Sequence, residues 1–160
     1  MSTMTTLPET ARVWVYQSPK PLTDKELHYI RHELQNFLSS WDSHGNPLKG
    51  YGEIRYGRFI ILAVDQEYNV PSGCSIDKSV SLMQAIGNEL GVDLLDKSQV
   101  CYLDENEKVQ SVDFRLLKAA VAEGNITPDT LVFDNSITNF GQYESGWPKR
   151  AADTWLKRYF

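Results

Sequence analysis

Cysteine is nearly absent: the chain has two in 160 residues, Cys74 and Cys101. They form neither a CxxC pair nor a zinc-ligand spacing, which argues against a disulfide framework or a structural zinc site and leaves two reduced thiols. There is no excess of basic charge either. Sixteen Lys and Arg face twenty-one Asp and Glu, a net charge of −5, so no positive field draws in a phosphate backbone and no nucleic-acid partner is expected. No run approaches the ~18 apolar residues of a membrane span, and Met1 to Arg12 lacks the apolar core of a signal peptide. The expectation is a cytoplasmic protein without membrane insertion.

What is present reads as alternating strands and helices in one domain over residues 11–160, after a flexible leader over 1–10. Arg12-Val13-Trp14-Val15-Tyr16 alternates with β-favouring residues and stops at Ser18-Pro19-Lys20-Pro21. Thr23-Asp24-Lys25-Glu26 is a capping box, flanked by a Leu22/Leu27 staple, that opens a helix. Its apolar stripe is Leu27, Ile30, Leu34, Phe37, Leu38 and Trp41, with Gly45 as its left-handed stop. A hairpin turns near Gly57, and its second strand, Phe59 to Val64, is apolar throughout, as in a strand buried on both faces.

A second helix begins at Cys74 or Ser75, carries Ile76, Val80, Met83, Ile86 or Gly87, and Leu90 on one side, and ends at Gly91. Gln99–Leu103 and Lys108–Val112 flank Asp104-Glu105-Asn106-Glu107 as another hairpin. Beyond Asp113 follow a short helix to Gly124, a strand at Thr130–Phe133, a Ser/Asn/Gly-rich loop and a last helix from about Lys149. The order predicts an α+β fold: a ferredoxin-like βαββαβ sandwich with an extra strand and a C-terminal helical extension.

Four segments carry a resemblance: Val13–Ser18, Trp41–Gly45, Arg58-Phe59-Ile60 and Ser72–Asp77. On these the chain resembles a group of small uncharacterised bacterial proteins commonly labelled "ABC transporter ATPase". The resemblance covers most of the chain and brings no catalytic residues with it. ATP hydrolysis of that kind needs a GxxxxGK[ST] loop whose amides cradle the phosphates, and no segment matches it. Gly50-Tyr51-Gly52 is not a dinucleotide-binding GxGxxG. ATPase activity and a nucleotide cofactor are therefore not expected.

Chemistry concentrates around Ser72-Gly73-Cys74-Ser75-Ile76-Asp77. A cysteine entering a helix sits beside unsatisfied amides and the positive dipole end, which favour a thiolate; the same glycine and hydroxyl could hold a small anion. The bland account has Ser75 as cap, Asp77 complementing the dipole, Gly73 making the turn and Cys74 filling a gap. His44, in Trp41-Asp42-Ser43-His44-Gly45, could act as base to Cys74, with Asp42 or Asp77 orienting the ring and Glu53 in support. Otherwise His44 complements a helix end and Trp41 joins the core.

Two functions follow from these alternatives. One is a non-catalytic binding or interaction module, taking a small anion or a protein partner through Gly73, Ser75 and Trp41. The other is a small thiol enzyme using Cys74 with His44 and Asp77 or Glu53. His28 and His32 share a helical face with Asp24, but Tyr29 stands where a zincin needs Glu, so no metal site is assigned. Lys149-Arg150 and Lys157-Arg158 bracket the last helix and could bind an acidic partner; more simply, their charges favour a helix C-terminus and solubility.

Overall fold

In the computed structural model, which describes residues 6–160, the chain is a mixture of helix and sheet. Expected as one domain over 11–160, it divides into two compact units. The first runs to Asp96 and takes back Ile137–Tyr143; the second comprises Lys97–Ser136 and Glu144–Phe160. Of the leader expected over 1–10, residues 1–5 lie outside the described residues. The remainder is held in place: Leu7 is buried, and the Glu9 and Thr10 carbonyls accept bonds from the Gly141 amide and the Gln66 side chain.

The first unit is organised around β5 (Phe59–Val64), all six residues of which are buried. It lies between β1 (Arg12–Gln17) and β4 (Gly50–Arg55), antiparallel to both, with Val13 and Tyr51 each opposite Ala63. Side chains alternate across a strand, so Trp14, Tyr16, Ile54, Ile60 and Leu62 share one face. On that face they join Ile30 and Leu34 of α1 (Asp24–Ser40) and Met83 and Ile86 of α2 (Gly73–Leu90). The Thr23/Glu26 capping box forms as expected, and Gly91 closes α2 in the left-handed conformation.

The buried stripe of α2 is rotated from the expected one. Val80 is exposed, and Ser75 and Ser79 are buried beside Met83, Ile86 and Gly87. Hydroxyls can be buried there because each is bonded: Ser79 Oγ donates to the Ile76 carbonyl at 2.7 Å and meets the Tyr16 hydroxyl at 3.1 Å. Gly87 has a steric reason, since a Cβ there would stand 2.4 Å from the Val92 carbonyl oxygen.

Arg58 is buried in the β4–β5 connection. Its guanidinium donates to the Pro19 carbonyl at 2.7 Å, while the Ser18 amide donates to the Arg58 carbonyl at 2.7 Å. These bonds tie the exit of β1 to the start of β5.

The strands expected to finish a single ferredoxin-like sheet lie in the second unit. There β6 (Gln99–Leu103) is paired with β7 (Val109–Asp113) on one side and β8 (Leu131–Val132) on the other, and β9 (Lys149–Arg150) extends the sheet as β7-β6-β8-β9. The partner adjacent in sequence is reached through a short turn at little loop-closure cost, which favours β7 as neighbour. Val100, Leu117, Ile126, Val132 and Leu156 form this unit's core around α3 (Leu117–Ala122).

The last helix expected from Lys149 is instead β9 followed by 3-10 turns at Ala151–Asp153 and Trp155–Tyr159. Leu156 is buried and Trp155 exposed. Conversely, α4 (Phe140–Gly146) occupies what read as loop.

Asp113 closes β7 by accepting from the Arg115 amide at 2.9 Å and from its guanidinium at 2.9 and 2.7 Å. Those hydrogen bonds hold its carboxyl down to about 2. A depressed folded pKa stabilises at pH values above the ordinary carboxylate range and is lost as pH falls through the folded value. Asp113→Asn should therefore flatten the acid limb of the stability curve between about pH 4 and 2. Superimposable acid-unfolding curves for the two proteins would contradict this role.

Candidate functional site

Two clusters of hydrogen-bonded polar side chains occur in the first unit. One assembles around the start of α2. The helix is capped by Ser72, not Ser75: Ser72 Oγ accepts the Ser75 amide at 3.1 Å, and Ser75 Oγ accepts the Ser72 amide at 3.0 Å. This is a capping box written with two serines. Ser75 is fully buried, and its hydroxyl donates to the Asp42 carbonyl at 2.6 Å. The Trp41 indole N–H returns a bond to the Ser75 carbonyl at 2.9 Å. Trp41 and Ser75, singled out as ligand-binding candidates, are thus joined to each other inside the protein.

These bonds clamp a small hairpin onto the helix. Trp41 ends α1 in an extended conformation, and β2 (Asp42–Ser43) turns through His44 and Gly45 into β3 (Asn46–Pro47). Both turn residues have positive φ, 53° and 82°, so Gly45 serves a hairpin rather than the helix stop assigned to it. The Asp42 carboxylate accepts the Gly45 amide at 2.9 Å and pairs with Lys78 at 2.9 Å. That lysine and amide hold Asp42 below its usual range, and Asp42 in turn holds Lys78 above its own.

The loop after β5 joins the same assembly. The Asn69 amide group donates to the Asn46 and Pro47 carbonyls at 3.3 and 3.2 Å, and the Asp65 amide donates to the Lys49 carbonyl at 3.0 Å. The result is a ledge of hairpin, loop and helix start that presents His44, Gly73, Cys74 and Asp77 exposed. Tyr68 and Val70, at 63% and 59% exposure, are apolar groups held outward on it. Gly73 has open space where a Cβ would stand and no positive φ, so neither sterics nor backbone conformation reserves the position for glycine.

Glu53 belongs to the second cluster. On β4 its carboxylate accepts the Tyr143 hydroxyl, which itself accepts Arg55 Nη1 at 2.9 Å; Arg55 and Glu53 lie 4.0 Å apart. The support assigned to Cys74 is therefore engaged with a tyrosine from α4. Burial, reinforced by the Glu53 hydrogen bond and charge, pushes the Tyr143 phenol above its ordinary range, with Arg55 opposing. Residues 137–143 are anchored alongside. The Val13 amide donates to the Thr138 carbonyl at 2.9 Å, and the Phe140 amide donates to the Ala11 carbonyl at 2.9 Å.

Sequence reasoning missed Tyr143, which stands ninety positions from Glu53. The turn-like Ser/Asn/Gly composition around it was the only local signal, and it pointed to loop. His28 and His32 are exposed on α1, with His32 Nε2 and Asn36 Nδ2 3.3 Å apart. Among the described residues no helix is long and apolar enough to cross a membrane.

Tyr143→Phe removes the shared hydroxyl. Glu53 and Arg55 keep 34% and 40% side-chain exposure, so water can rehydrate them and the neutral-pH loss should be about 1 kcal/mol. The larger signature is alkaline. Because the folded phenol holds its proton more tightly than the unfolded one, stability falls as pH rises above about 10, and the phenylalanine variant lacks that component. Tyr16, Tyr29 and Tyr102, also raised chiefly by burial, remain in both proteins, so the difference isolates Tyr143. Equal alkaline slopes in chemical denaturation would rule the assignment out.

The chain matches no family model, no curated protein and no solved structure.

Proposed function

We propose that the protein is a non-catalytic binding or interaction module in a cytoplasmic setting, and that it engages a small anion or a protein partner through the ledge at the start of α2. The observation that carries this reading is the Trp41–Ser75–Asp42–Lys78 network, which immobilises a surface whose outermost groups are left exposed. Such rigid support favours recognition, since little side-chain ordering remains to be done on binding. The thiol-enzyme reading is less well supported. Asp42 is committed to Lys78 and Gly45, and Glu53 to Tyr143, so neither is available to orient His44 or assist Cys74. Nor does the ATPase label of the resembling group recommend itself, given the missing phosphate loop.

A ferredoxin-like arrangement is part of this proposal for the first unit. The sheet order β1-β5-β4, with α1 and α2 contributing to one core, supports reading it as a split β-α-β unit. The Arg12–Asn139 bridge stands at the edge a fourth strand would take. That fold serves many functions, so the site and not the architecture carries the proposal.

The test is a thermal-shift screen of metabolites and small anions on wild type, Gly73→Val, Cys74→Ser and Asp77→Asn, each first shown to fold. A ligand of the ledge should lose its shift in Gly73→Val, where the new side chain fits the free protein but blocks backbone approach. It should keep most of its shift in Cys74→Ser and, if anionic, gain in Asp77→Asn. Hits indifferent to all three substitutions would place the site elsewhere. Alkylation of Cys74 as fast at pH 6 as at pH 9 would transfer support to thiol chemistry.

A further inference from the structure

We draw no further inference here: the strongest candidate, the exposed basic and aromatic patch at the end of the second unit where the Arg158 guanidinium lies 5.5 Å over Trp155 and 5.2 Å over Tyr159, carries nothing because nothing in the structure shows what covers it.

Discussion

Leu34→Ala and Ile61→Ala are each expected to lower the unfolding free energy by about 2–5 kcal/mol, the range for truncating a fully buried aliphatic side chain. Both residues are completely buried, but on opposite sides of the first unit's sheet. Leu34 reaches the helix-covered face from α1, whereas Ile61 lies on the face that also carries Glu53, directly opposite it across the β4–β5 ladder. Similar losses at both sites would show that the two faces of β5 are equally closed to water. Urea denaturation measures this directly, and a loss under about half a kcal/mol at either site would be incompatible with its burial.

Trp41→Ala should cost about 3–5 kcal/mol, because it removes a large buried ring together with a buried hydrogen bond. The indole packs 4.9 Å from Phe37 and 5.7 Å from Trp14, and it abuts Gly50 so closely that a Cβ there would stand 2.9 Å from the ring. Its N–H is also one of the bonds that fasten the hairpin to α2. The variant should therefore release the ledge as well as weaken the core, and tryptic cleavage after Lys49 should accelerate. Trp41→Phe, which keeps much of the ring and loses the donor, separates the two effects. A Trp41→Ala loss below about 1 kcal/mol would deny the residue its central place.

The elements specified by local chemistry were legible. Thr23 and Glu26 determine where α1 starts, Gly91 determines where α2 stops, and the unbroken apolar run of β5 announces a strand covered on both faces. Legibility fails where a tertiary partner decides. Ser75 and Ser79 are absent from the apolar stripe that the sequence offers, yet their hydroxyls find carbonyl partners and go inside. The α4 segment contains Gly141, Ser145 and Gly146, all poor helix formers, and becomes helical with Asn139 accepting the Gln142 amide and with Phe140 and Tyr143 buried. The β6–β7 hairpin is legible from its turn, but the pairing of β6 with β8 is invisible to a period-two pattern, which identifies strands but not neighbours.

The candidate site was half legible. Four segments singled out in the sequence meet in two pairs: Val13–Ser18 lies along Arg58-Phe59-Ile60 in adjacent strands, and Trp41–Gly45 locks onto Ser72–Asp77. A His44–Cys74 pairing requires the second pair to be close, but sequence spacing does not show it, and it does not show the role of each side chain. Asp42 works through its backbone carbonyl as much as its carboxylate, and a main-chain acceptor leaves no trace in residue type.

The return of Ile137–Tyr143 to the first unit bears on how this gene could be cut. A fragment ending at Asp96 would present the Val13 amide, the Ala11 carbonyl and the Glu53–Arg55 pair to solvent without the groups that meet them in the whole chain. A fragment beginning at Lys97 would carry those seven residues without the Glu9, Ala11, Val13 and Glu53 groups that they bond in the whole chain. Neither half corresponds to a contiguous stretch of sequence, so a recombination event that exchanged only one of them would break both. The two units are therefore expected to be inherited, duplicated and lost together.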